Sequence, residues 1–263
     1  MTAATLAAAR PARVPVLVQR LALALLLLGV WWLISLSVPP YVLPRPERVF
    51  ARIVQLAQSG DLPINLLTTL GRVLAGFAIA VVIGVPGGIL LGSHRALGTF
   101  FEPVLPVLNT VSSAIWAIFA IIWFGLSPMT PIFVVLMTAL PLIVTNVWQG
   151  TQAVNADYVE LAHALRFSRR KTLMKIYLPS ILPYFFSGAR LAFGFGWRVS
   201  LVAETLGASS GVGYRLRQAS DLIQMDQVFA WTIVQVAMML VIEIGILQPL
   251  ERYLFRWRRD VRT

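Results

Sequence analysis

The 263-residue chain contains no cysteine, two histidines and only 13% charged residues. Without cysteine there are no disulfides and no thiolate metal sites, and two isolated histidines, His94 and His163, are too few for a histidine-based metal centre. The phosphate-cradling run G-x-x-x-x-G-K-[ST] is missing, so the chain has no P-loop of its own with which to hold ATP. The apolar runs hold no paired carboxylates, metal cluster or Ser/His set, which removes the equipment of an intramembrane enzyme; neither a catalytic residue nor a metal ligand is expected. Charge is scarcest in the middle of the chain, where the 54 residues from Pro103 to Ala156 carry none.

What is present is oil. Hydrophobic residues make up 58% of the chain, and the mean hydropathy of +0.77 lies outside the range of soluble domains. The net charge of +11 does not indicate nucleic acid, because the basic residues flank apolar spans instead of forming a soluble basic domain. An all-α, multi-pass membrane protein is expected.

Six spans follow from the apolar runs: Leu21–Val38, Ile64–Ser93, Pro103–Phe124, Met129–Trp148, Ile181–Ala203 and Val228–Leu247. The first has Arg10, Arg13 and Arg20 before it but no small-residue cleavage site after it, so it reads as a retained span rather than a signal peptide. Prolines 39, 40, 44 and 46 end it, and Glu47–Gln58 can form a short surface helix. The second span carries Gly76, Ala80, Gly84, Gly88 and Gly92 at intervals of four, and the fifth carries Gly188, Ala192, Gly196 and Ser200; such ridges let another helix approach closely. Pro86 beside the first ridge is expected to bend its helix.

Six spans put both termini on one side. Basic residues on that side number 14: three at the N-terminus, Arg95, five in the central stretch and five in the tail. The other side has six, Arg45, Arg48, Arg52, Arg72, Arg215 and Arg217, while Arg190 and Arg198 lie within a span. The excess places the termini and the central stretch in the cytoplasm. The organisation is therefore a cytoplasmic N-terminus (1–20), a transmembrane domain (21–250) with a cytoplasmic loop (151–180), and a basic tail (251–263).

That loop, DYVELAHALRFSRRKTLMKIYLPSILP (157–183), is the longest charge-rich interval. Tyr158, Leu161, Ala162 and Leu165 recur at helical spacing, with Asp157 and Glu160 on another face. Asn155 can cap this helix; Ser168 can cap a second one carrying Arg169, Arg170, Lys171 and Lys175, which should end near Leu178 because Pro179 and Pro183 follow.

The loop resembles the cytoplasmic "EAA" loop in membrane subunits of bacterial binding-protein-dependent ABC importers: Glu160, Leu161 and Ala162 stand for Glu-Ala-Ala, and Ile176, Tyr177, Leu178 and Pro179 match its Ile-x-Leu-Pro. The segments LPRPERVF, TLGRVLAGFAIAVVIGVPGGILLGSHRAL, IIWFGLSP, GARLAFGFGWR and AETLGASSGVGY are similar, in order, to permeases that import nitrate, aliphatic sulfonates and taurine, over roughly residues 40 to 257. The resemblance implies a type I ABC importer permease fold in the cytoplasmic membrane and a small anionic solute or related organic compound. It also implies a second permease copy, two cytoplasmic ATPase subunits that hold ATP and Mg, an extracytoplasmic solute-binding protein, and no cofactor in this chain. Coupling to the ATPases would fall on Asp157, Tyr158, Glu160, Leu161, Ala162, Leu165, Arg166, Ser168, Leu178 and Pro179. Two departures stand out. Arg166 occupies the position of the family glycine, replacing a left-handed turn residue by a long cation. LNTVSSAIWAIFAIIWFG lacks the proline-rich opening common there, which implies an unusual substrate.

For the solute path, an intramembrane cation is the first candidate because burying a charge is costly. Arg198, one position after Trp197, can meet an anion at a dimer interface, or it can pair with Glu243 or Glu204. Glu204, Ser112, Ser113, Trp116 and Asn109 are the other candidate lining residues, with helix packing as the alternative for the serines and interfacial anchoring for the tryptophan. Glu243 reads as structural and Arg190 as a snorkelling side chain. A secondary transporter or channel without an ATPase is the alternative function; the lone central acid and the docking loop weigh against it.

Overall fold

The computed structural model describes residues 16–254, in which all regular structure is helical. Residues 1–15 and 255–263, which hold Arg10, Arg13 and four of the tail arginines, lie outside the described part. The first span is α1 (Val16–Ser37), and the expected surface helix is α2 (Pro46–Gln58), with a proline in its first turn where no amide donor is needed.

Small-residue ridges set the core. α3 (Asp61–Ser93) runs unbroken through Pro86 and lies along α7 (Met129–Gln152). A Cβ at Gly76 would fall 2.6 Å from the Ile132 carbonyl oxygen, at Gly88 2.7 Å from the Val147 Cβ and at Gly92 2.4 Å from the Thr151 Cβ. Both residue series ascend together, so the helices are parallel and their backbones touch where side chains are absent. α10 (Leu178–Gly207) packs on another side of α7 in the opposite sense: Gly150 meets Tyr184, Asn146 meets Gly188 and Thr130 meets Gly207. Ala80, Ala139, Ile143, Val147 and Ala192 are buried between the three helices.

Parallel α3 and α7 require the intervening chain to return across the membrane. It does so through α4 (Arg95–Phe101), α5 (Val104–Thr110) and α6 (Ser113–Phe124), with Gly98 against Trp148 at one end of α7 and Ile121 against Gly207 at the other. The span expected over Pro103–Phe124 is bent, the path turning by 91° between the segments 95–110 and 113–124. Val111 and Ser112 are extended, and the Ser112 Oγ accepts from the Ala114 amide at 3.4 Å, a cap that starts α6 anew.

One correction concerns proline. The basic helix does not end near Leu178; α9 (Arg169–Thr172) passes through a π-helical turn (Leu173–Tyr177) directly into α10, so residues 169–175 form an extension of the fifth span. The Leu178 amide donates to the Leu173 carbonyl, and this wider turn lets the helix absorb Pro179 by shifting the bonding register. The same device recurs in the sixth span, where α12 (Met225–Ile242) passes through a π turn (Glu243–Leu247) into α13 (Gln248–Leu254), just before Pro249.

Opposite the cytoplasmic loop, α11 (Val212–Asp221) packs beneath α2, burying Val49, Leu56, Val212, Ala230 and Trp231 together. Among the described residues α1, α3, α7 and α12–α13 are long and apolar enough to cross a membrane, and the bent α4–α6 unit makes a fifth; α10, packed along α7, is the remaining expected span.

Candidate functional site

Helix α8 (Ala156–Ala164) begins where Asn155 Oδ1 accepts from the Asp157 amide at 2.9 Å. It lies in the charge-rich loop between apolar spans, yet Tyr158, Leu161 and Leu165 are 59%, 56% and 58% exposed. Asp157 and Glu160 are exposed beside them, while Ala162 turns inward at 1%. The sequence placed these four apolar residues on one face, and all four line a single open cavity of about 420 Å³ together with Phe167, Ile176 and Pro179, Ala162 at its buried edge. Leu178 and Pro179 are exposed, and Ser168 Oγ accepts from the Lys171 amide at 3.4 Å.

Arg166 keeps the glycine conformation. Its φ is +51°, and the Phe167 amide donates to the Ala162 carbonyl at 2.9 Å, the six-to-one bond of a Schellman ending. A side chain in this region costs about 1 kcal/mol relative to glycine, so the turn survives the substitution at a modest penalty.

The intramembrane charges sort into three kinds. Glu204 is fully buried and joins three segments: its Oε1 accepts from Arg72 Nη1 at 2.7 Å, and its Oε2 from Thr69 Oγ1 at 2.8 Å and from the Gly213 amide at 3.0 Å. Arg72 also donates to the carbonyl and hydroxyl oxygens of Ser210, both at 2.7 Å. Thr69 Oγ1 accepts from the Val212 amide and Asn65 Oδ1 from the Gly211 amide, so the outer half of α3 is bonded to the loop before α11. Gly211 has φ +100°, and a Cβ there would lie 2.4 Å from Glu204 Oε1, so only glycine fits. The expected place of Glu204 on a solute path is corrected by this enclosure: its carboxylate is spent on protein partners. Arg72, counted from sequence among the basic residues of the side opposite the termini, is buried in this network instead of lying free at the surface.

Arg190 binds two acids: its Nε donates to Glu243 Oε1 at 2.8 Å and its Nη1 to Glu251 Oε2 at 2.7 Å, tying α10 to the π turn of the sixth span. Arg198 is the third kind. It pairs with neither Glu204 nor Glu243; it is exposed, with its guanidinium 5.7 Å from the Phe195 ring. Leu191, Phe195, Val202 and Leu206 are exposed on the same stripe of α10. Trp197 faces the other way, 1% exposed, its Nε1 donating to the Gln235 carbonyl at 3.1 Å, so it braces α12 instead of lining a path.

The third-span candidates also separate. Trp116 is half-buried, packs on a cluster that includes Val199 and Ala203, and meets Phe119 and Phe133 edge-on. Ser112 and Ser113 start α6. Asn109 instead lines a cytoplasm-side cavity of about 1000 Å³ between α3, α4, α5 and α7. The network around Arg72 was missed from sequence, although Asn65, Thr69 and Arg72 form a polar stripe at helical spacing on a span, a signal that polar partners await them.

Residues 84–250 match the family model described as "binding-protein-dependent transport system inner membrane component". The putative aliphatic sulfonates transport permease protein of Bacillus subtilis is 32% identical over 219 residues, covering 83% of this chain and 79% of that protein. The taurine transport system permease protein of Escherichia coli is 26% identical over 242 residues, covering 89% and 88%. Among solved structures, a chain of the methionine ABC transporter MetNI in an inward-facing conformation superposes with a TM-score of 0.66 at 15% identity, covering 75% of this chain and 98% of that one.

Proposed function

Because the chain belongs to the family of inner-membrane components of binding-protein-dependent transport systems, we propose that it forms, with a second copy, the pathway of an ATP-driven importer for a small anionic solute of the sulfonate class. An extracytoplasmic binding protein delivers the solute, and each α8 seats in a groove of a separate cytoplasmic ATPase subunit. ATP and Mg are held there.

The observation that carries this reading is the outward apolar face of α8. Three large apolar side chains exposed on the water side of a membrane protein make an interaction site, and a short helix lodged crosswise in a partner can carry rigid-body motion. Closure of the ATPases pushes α8; through the 155–168 turns and the unbroken helix from Arg169 to Gly207, that push reaches the pathway. Arg198 sits about 44 Å along this helix from Arg169 at 1.5 Å per residue. A lone cation on an otherwise apolar stripe is too costly to leave in lipid, so it faces the water-filled path between copies and selects anions.

Uptake and ATP hydrolysis measured on the reconstituted complex test both claims. Arg198→Gln should cut uptake while the complex stays assembled, and Glu160→Lys should leave ATP hydrolysis uncoupled from transport or release the ATPase. Wild-type uptake in both variants would overturn the assignment.

A further inference from the structure

We propose that the cavity of about 1000 Å³ between α3, α4, α5 and α7 is a binding site for a short zwitterion, its anionic group on Arg95 and its ammonium on Glu102. The site stands apart from α10 and from the pathway assigned to Arg198, since every lining residue falls within 91–110 or 145–152. Its size is that of a small-molecule pocket.

The walls are preformed. A Cβ at Gly92 would lie 2.4 Å from the Thr151 Cβ, and one at Gly98 would lie 2.9 Å from the Leu91 carbonyl oxygen and 3.2 Å from the Trp148 ring. These close approaches hold α3, α4 and α7 against one another around the space. Eight of the sixteen lining residues are serine, threonine, asparagine or glutamine, so the walls suit a hydrogen-bonding guest and not an acyl chain. Two polar atoms of the α7 wall, Thr145 Oγ1 and Trp148 Nε1, have no hydrogen-bond partner among the described residues. Orphaned groups of this kind are rare in folded chains and mark places where water or a ligand enters.

Charge selects the guest. Arg95 and Glu102 are the two charged lining residues; both are exposed, and neither side chain has an ion pair or a hydrogen bond among the described residues. Glu102 keeps helical geometry at the end of α4, so the two stand on one helical face, seven positions and about 10 Å apart along the axis. An anion alone meets repulsion from Glu102, a cation alone meets it from Arg95, and a neutral solute leaves both charges to water. A molecule with opposite charges at the two ends of a short carbon chain answers both, and Leu91, Leu105 and Trp148 supply apolar surface for the chain between them.

Equilibrium dialysis of the full transporter complex against 3-aminopropanesulfonate and propanesulfonate tests the site. The native complex should bind the amino sulfonate about ten-fold more tightly than the sulfonate without the amine, the worth of one charge-assisted hydrogen bond. Glu102→Gln should abolish that preference, and Arg95→Gln should weaken binding of both compounds by about ten-fold. Both side chains are exposed, so the unfolding temperature of either variant should match that of the native complex. No binding, or equal binding of the two compounds by the native complex, would overturn the proposal, and so would a preference that survives Glu102→Gln.

Discussion

The two ends of the membrane bundle solve opposite problems. At one end, Arg72 and Glu204 are buried at 6% and 0% exposure, and two hydroxyls, one amide and one carbonyl complete their bonds. At the other end, Tyr158, Leu161 and Leu165 expose more than half of their surface along an open apolar cavity. The outer end is finished within one chain; the inner end leaves an apolar face open, as the proposed docking of a partner requires. Polar satisfaction and apolar exposure therefore tell a fixed joint from a docking face, even though both lie at the ends of the same helix, α10, and its extension.

Breaking the outer end should have the largest effect. Glu204→Ala leaves Arg72 buried and unpaired, which costs about 3–5 kcal/mol; the expected outcome is loss of folded protein from the membrane, read by detergent-solubilised yield and thermal unfolding. Next comes the helix contact between the ends. Gly88→Val places carbon where the Val147 Cβ and the Val144 carbonyl already stand, and overpacking of this kind costs about 1–3 kcal/mol, measurable as a lower unfolding temperature. Smaller still is Arg166→Gly, which should stabilise the loop by about 1 kcal/mol by relieving a left-handed side chain, seen as slower amide exchange at Phe167 and the end of α8. If Arg166→Gly destabilises instead, the arginine side chain has a role that its backbone does not explain.

Much of this contrast was legible in the chain. The ridges at Gly76–Gly92 and Gly188–Ser200 announced close helix contacts, and both found α7. The short basic loop announced itself by charge amid oil, and the Asn155 and Ser168 caps fall where hydrogen-bonding chemistry put them. What could not be read were features set by partners distant in sequence. Arg72 looks like any basic residue near a span end until Glu204, 132 positions away, is seen beside it. Arg198 and Arg190 are alike in sequence, yet only Arg190 has acids on the facing helix. Proline misled in a different way: the rule that it ends a helix assumes a fixed four-residue ladder, and π turns before Pro179 and Pro249 relax that assumption. The bend at Val111–Ser112 left hardly a trace, because an uncharged run reads as one span whether or not it turns.

The docking face itself is tested with the least disturbance to the fold. Ala162→Asp is a poor probe, since Ala162 is buried inside the loop and its loss confuses docking with folding. Leu161 is exposed, so Leu161→Asp should change stability by no more than about 0.5 kcal/mol. The decisive measurement is the amount of ATPase that co-purifies with this variant relative to the native chain, taken with its unfolding temperature. The account predicts an unchanged unfolding temperature of the permease and loss of most of the bound ATPase; full ATPase retention with normal transport would contradict it.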